Sequence, residues 1–164
     1  PEHQWHKLNG PYYPTTVPEE IVEKLRGRIL SAENTIPRRR LVISEHGNDD
    51  FIGWVSWYWV GEETNWPAAG IVICDRDYWQ KGYGYEALGL WTDYLFQLDL
   101  QFARIDLRTW SGNSGMMRLA EKMGFEKEAC FRKARIVDGQ YYDSVGYGIL
   151  REEWENLHPE GFRL

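Results

Sequence analysis

Residues 71–87 restrict the possible folds more than any other stretch of this chain. The apolar run Ile71-Val72-Ile73-Cys74 reads as a strand. The loop Asp75-Arg76-Asp77-Tyr78-Trp79-Gln80-Lys81 follows it. Gly82-Tyr83-Gly84 then leads into a helix with Leu88, Trp91, Leu95 and Leu98 on one face. A helix that starts this way has unpaired N–H groups at the positive end of its dipole. Such a turn accepts phosphate oxygens, and glycine lets the backbone approach them closely. Lys81 adds charge at the rim. The segment is not the phosphate loop that ends in Gly-Lys-Ser/Thr, and it lacks the third glycine of the dinucleotide fingerprint. Two glycines before a helix also occur for structural reasons, so the segment alone leaves both readings open.

The flanking pattern predicts a mixed α/β domain. A helix ends within residues 1–8, stopped by Asn9-Gly10-Pro11, and an aromatic loop Tyr12-Tyr13-Pro14 follows. Pro18-Glu19-Glu20 opens a helix over residues 18–31. Strands at 40–45, 51–60 and 67–74 are joined by short turns into an antiparallel meander. After the helix at 85–98 comes a strand at 102–110. There Ala103, Ile105, Leu107 and Thr109 alternate with Arg104, Asp106 and Arg108. A short helix at 113–123 carries Met116, Leu119, Ala120 and Met123 on one face, and Gly124 closes it. Asp138-Gly139 joins a final hairpin of residues 131–137 and 140–150. The order ααβββαβαββ describes one domain over residues 1–164 with a single central sheet.

Charge narrows the function. Nineteen Lys and Arg against 25 Asp and Glu leave a net charge of −6. That argues against a general nucleic-acid binder, which needs basic charge to displace counterions. Arg38-Arg39-Arg40, the only basic run, reads as an exposed strand entry. An acidic surface draws a cationic amine weakly towards it. No apolar run reaches the roughly 18 residues of a membrane helix, and no segment reads as a signal peptide. Cys74 and Cys130 stand apart, which predicts neither a disulfide framework nor a metal site. A cytoplasmic location is expected. Aromatic residues make up 15% of the chain, enough to fill a core or to line a cleft.

Three motifs carry a family resemblance. Gly82 and Gly84 fill the small positions of an Arg/Gln-x-x-Gly-x-Gly/Ala loop, with Trp79 in the Arg/Gln position. Asn113-Ser114-Gly115-Met116-Met117-Arg118-Leu119-Ala120-Glu121-Lys122-Met123-Gly124-Phe125 resembles a helix motif that ends Glu-Lys-x-Gly-Phe. Asp138-Gly139-Gln140-Tyr141-Tyr142-Asp143 with Tyr147-Gly148-Ile149-Leu150 resembles a closing hairpin. Together, over roughly residues 40–154, they resemble the GNAT N-acetyltransferases, in the RimJ/RimL-like branch of ribosomal-protein N-terminal acetyltransferases. The resemblance implies the GNAT fold: a mixed, mostly antiparallel sheet with a splayed parallel strand pair and helices on both faces. By position the splayed strands are residues 71–75 and 104–110. The family's fold begins with another strand and the body of a first helix, and neither precedes Pro1. The expectation is that the sequence omits them, the alternative that the protein lacks the edge strand. A homodimer is a further family-level expectation.

The implied cosubstrate is acetyl-CoA, with no metal. Backbone groups of Ile73, Cys74 and Asp75 would hold the pantetheine amides. Gln80, Lys81, Gly82, Tyr83, Gly84 and Tyr85 would cradle the pyrophosphate. Asn113 would bond the pantetheine arm or serve as a plain helix cap. The implied reaction is direct transfer to a primary amine: a protein N-terminus, a polyamine or another small amine. The family's Tyr acid corresponds here to Ala120, and an alternative Ser to Met116, so no side-chain acid carries over. Candidate bases are Glu62 and Glu63, at the end of the strand before the cleft, and Asp106 on the splayed strand. The Glu pair also reads as a solvated turn, and Asp106 as a partner of Arg104 or Arg108. Tyr142 is a candidate acid. Tyr12, Tyr13, Trp57 and Trp110 are the rings expected at the acceptor site. Two other readings are a GNAT-fold module that binds acyl-CoA without turnover, and an aromatic-rich domain with no ligand.

Overall fold

Strands β1 (Arg40–Ser44), β2 (Phe51–Gly61) and β3 (Trp66–Ile73) run as the expected antiparallel meander. Helix α1 (Tyr83–Leu98) then crosses to β4 (Arg104–Trp110). Helix α2 (Ser114–Lys122), the hairpin β5 (Glu126–Val137) and β6 (Gln140–Leu150), and helix α3 (Arg151–Leu157) complete the chain. This computed structural model describes residues 7–8, 10–12, 36–47, 50–98 and 101–163. The helix expected over residues 18–31, most of that expected over residues 1–8, and Tyr13 lie outside the described residues.

The six strands form one sheet in the order β1-β2-β3-β4-β6-β5. Every pairing is antiparallel except β3 with β4. That pair is parallel because α1 returns the chain to the starting end of the sheet, which a tight turn cannot do.

Registers fix which side chains share a face. Trp57 lies opposite Ala69, Ala69 beside Leu107, and Leu107 opposite Tyr147. Leu88, Trp91 and Leu95 of α1 join them in one buried cluster. Fully burying a side chain of this kind contributes about 1.5–3 kcal/mol. Trp91 also donates its indole N–H to the Ser56 carbonyl at 3.0 Å, so its polar edge is satisfied.

Two elements depart from the sequence reading. Helix α3 was not expected, because seven residues are too few to display a helical period. It forms because Trp154 packs beside Phe96 and Phe162 and donates to Asp93 at 3.1 Å. Strand β5 begins at Glu126, five residues before the expected start at 131. It is an edge strand with most of its side chains exposed, so its sequence shows no alternation.

Candidate functional site

A cleft opens where β3 and β4 part. The two strands pair only at Ala68 with Asp106 and Ala69 with Leu107. Beyond that point β3 stays with β2 as far as Ile73, and β4 stays with β6 as far as Trp110. Each strand follows its outer neighbour, so the twisted sheet splits. The resulting cavity is about 500 Å³, within the range of small-molecule sites. Ile71, Val72 and Ile73 form one wall, the loop before α1 the floor, and α2 the other wall.

The loop is held from several sides. Asp75 accepts the Asp77 N–H at 2.9 Å and caps a 3-10 turn at Arg76–Tyr78. The Gly82 carbonyl accepts from Tyr85 and Glu86 at 2.9 and 3.0 Å, which starts α1. Gly82 has φ +97° with open space around it, so backbone conformation rather than crowding requires glycine there. Tyr83 and Tyr78 donate their hydroxyls to Glu45, just past β1, at 3.0 and 3.4 Å. The hydrogen bond to Glu45, then burial, holds the Tyr83 phenol above its ordinary pKa. Burial, then the Glu45 charge, does the same for Tyr78. Both phenols therefore stay neutral donors.

Of the predicted coenzyme residues, Ile73, Gln80, Gly82, Gly84, Tyr85 and Asn113 line the cleft, whereas Cys74, Asp75, Lys81 and Tyr83 do not. The expected role of the Cys74 backbone needs correction. Its N–H donates to the Ile52 carbonyl at 2.8 Å, into the meander. Strand alternation therefore turns the Ile71 and Ile73 N–H groups to the cleft edge instead. Trp79 lines the cleft and donates its indole N–H to the Ile73 carbonyl at 3.0 Å, tying the loop to the strand end. Asn113 is a helix N-cap: its side-chain oxygen accepts the Met116 N–H at 3.1 Å. Its amide also donates to the Leu8 carbonyl at 3.4 Å.

Sequence reasoning missed two cations. Arg118 and Lys122, one turn apart on α2, both line the cleft. Lys122 sits 4.3 Å from the centre of the Tyr85 ring. The helical spacing of the pair was legible; that their face turns towards the loop was not.

The predicted acceptor rings separate onto two sides of the sheet. Trp57 shares the α1 side, is 6% exposed, and packs edge-on to Trp59 and Phe102. Arg39 covers it at 3.8 Å. It is a core residue, which corrects the expectation that it walls the acceptor site. Trp110 and Tyr142 lie on the opposite side, 4.7 Å apart at the open end of β4. Trp110 donates to the Leu8 carbonyl at 3.0 Å. Tyr142 is paired across the hairpin with Arg135, whose guanidinium covers Tyr12 at 4.7 Å. Trp110 and Tyr142 thus meet directly, and Arg135 links Tyr12 to them.

Glu62 does not join them. It is exposed in the turn that precedes β3, at the end where β3 and β4 have not yet parted. That corrects its expected place beside the reacting groups. On α2, Ala120 is fully buried and Met116 lines the cleft. Asp106 is buried and paired with Arg104 at 2.7 Å, so it is engaged structurally. Among the described residues no cluster of His, Cys, Asp and Glu could hold a metal, and no helix is long and apolar enough to cross a membrane.

A parallel strand pair that parts in mid-sheet above a glycine loop defines the acetyltransferase class of α/β fold. The chain belongs to the acetyltransferase (GNAT) domain family, which matches residues 2–126. It is 36% identical over 78 residues to the SPbeta prophage-derived N-acetyltransferase YokL of Bacillus subtilis (strain 168), covering 48% of this chain and 44% of that protein. It is 32% identical over 108 residues to the probable N-acetyltransferase YjcK of the same organism, covering 66% and 59%. The chain thus spans about half to three-fifths of the length of these relatives. In fold it is similar to the spermidine N-acetyltransferase of Vibrio cholerae in complex with CoA and spermine. That match has a TM-score of 0.76 at 21% identity over 93% of this chain and 86% of that one. A GNAT acetyltransferase of Bacillus anthracis superposes with a TM-score of 0.71 at 21% identity, over 93% and 84%.

Proposed function

We propose that the chain is an acetyl-CoA-dependent N-acetyltransferase that moves an acetyl group directly from the thioester to a primary amine. The observation that carries this reading is the parting of β3 and β4 over the glycine loop, which opens a cleft of about 500 Å³. In this reading the loop and α1 start receive the diphosphate, with Arg118 and Lys122 supplying the countercharge that Trp79 does not. The Ile71 and Ile73 N–H groups serve the pantetheine arm and the developing oxyanion, and Asn113 closes the arm's other side. The acceptor enters from the side of Tyr12, Trp110 and Tyr142. A neutral amine attacks the thioester carbonyl, the C–N bond forms and the C–S bond breaks. The proton shed by the nitrogen balances the one taken up by the departing thiolate, restoring whichever group donates it. The Tyr142 hydroxyl is the candidate proton donor to the thiolate. Holding both reactants in one split sheet supplies the proximity. The closing hairpin supports the RimJ/RimL-like branch, with which a cytoplasmic homodimer is consistent. The spermidine N-acetyltransferase neighbour supports an amine acceptor.

The test combines binding with turnover. Acetyl-CoA at about 100 times its Kd should raise the Tm by roughly 5–10 °C, and amines should trigger CoA release. A second reading, an acyl-CoA-binding module without turnover, is favoured by Ala120 and Met116 in the positions of the family's acids. Strong thermal stabilisation with no CoA release across a broad amine panel would establish that reading and exclude the enzyme.

A further inference from the structure

Arg135 is the unexplained charge beside the grouped rings. Its residue is half-buried, and its Nε is buried with no hydrogen-bond partner among the described residues. Nη1 donates only to the carbonyl of its own neighbour, Ala134, at 2.9 Å. No carboxylate pairs with it among the described residues. The position is built rather than incidental. A bulge between Phe131 and Arg135 shifts the strand register, with Lys133 at φ +56°. The Lys133 N–H is pinned to the Asp143 carboxylate at 2.8 Å. The bulge sets Arg135 opposite Tyr142, which meets Trp110, while the guanidinium lies over Tyr12.

A ring face attracts the cation but accepts none of its N–H groups directionally. A buried N–H without an acceptor carries a desolvation cost. The group that removes that cost best is a carboxylate, whose two oxygens match the planar fork of guanidinium donors. We propose that Arg135 receives a carboxylate of the acceptor, so that the acceptor is an amine that also carries a carboxylate, such as an amino acid. This rests on the acetyltransferase reading and narrows it. A polyamine would bring a second cation towards Arg135 and be disfavoured by like-charge repulsion.

The experiment measures initial rates of CoA release at saturating acetyl-CoA. The acceptors are L-methionine, L-methioninamide, 4-aminobutanoate, its carboxamide and spermidine, each with the wild type, R135Q and R135K. The expected result is a wild-type kcat/KM at least about tenfold higher for a carboxylate than for its carboxamide, a modest value for one directional charged contact. R135Q should abolish that preference through KM, and R135K should restore it in part. The ligand-free Tm of R135Q should equal or exceed that of the wild type, because the charge removed has no carboxylate partner among the described residues and is held only by the Tyr12 ring face and the Ala134 carbonyl. Preference for spermidine or a carboxamide, or an unchanged ratio in R135Q, overturns the proposal while leaving the acetyltransferase reading intact. A lower Tm in R135Q with an unchanged ratio marks Arg135 as structural and also overturns it. No release with any amine overturns both readings together.

Discussion

Single residues here behave according to what surrounds them. Burial pushes the Cys74 thiol above its ordinary pKa, whereas Cys130 is exposed on the edge strand. The thiolate is the reactive species. Iodoacetamide at pH 7.5 should therefore alkylate Cys130 well before Cys74, as peptide mapping would show; faster labelling of Cys74 would contradict its burial. Tyr147 offers a pH readout. It is 1% exposed and donates to Glu121 at 3.0 Å, and burial first, then that bond, raise its pKa to about 12. The folded state holds this proton more tightly than the unfolded chain. The stabilisation is therefore complete below pH 10 and is lost as pH rises from 10 to 12. The Tm of the wild type should fall more steeply across that window than the Tm of Y147F. Equal slopes would show that Tyr147 is not the group responsible. Neither environment could be read from the local sequence, which placed Cys74 on a strand and Tyr147 in a motif without their neighbours.

At the scale of elements, the loop before α1 was the most legible feature. Its glycines, the preceding apolar run and the helical period after it all point to one turn, and the structure has that turn with Gly82 at φ +97°. G82V should cost about 1–2 kcal/mol locally, the penalty of a left-handed non-glycine residue. It should weaken acetyl-CoA binding in calorimetry far more than it lowers the Tm. Trp79 was visible as a departure from the family pattern, but its tie to Ile73 was not, because the partner is a backbone carbonyl beyond a turn. W79F loses that bond, worth about 1 kcal/mol. It should also lose most of the tryptophan-fluorescence change that acetyl-CoA produces in the wild type. The misread elements share a cause. Strand β5 has too little buried surface to impose alternation, and α3 is too short to impose a period.

Across the whole molecule, stability gathers on the α1 side of the sheet, where Trp57, Trp91, Phe102 and Trp154 pack into one cluster. Trp154 ties the last helix to α1 through Asp93 and lies among Phe96, His158 and Phe162. W154A should destabilise the fold by about 3–5 kcal/mol, measured by urea denaturation. A loss below about 1 kcal/mol, the level of a surface change, would show that α3 is not part of the cooperative unit. The aromatic load is therefore divided: a large share builds this core, and Trp110 and Tyr142 meet on the other side, with Tyr12 under the Arg135 guanidinium. By itself the sequence determined the chain order of helices and strands, the meander and the glycine turn, each from local periodicity and short connections. The parallel pair that parts was legible only through the family resemblance. Only the tertiary structure decided that Trp57 faces the core, that Glu62 sits at the closed end of the strand pair, that Arg118 and Lys122 turn into the cleft, and that Arg135 lies without a carboxylate beside the rings. Those outcomes depend on strand register, a bulge and the direction in which a helix face points, which are set between distant segments of the chain.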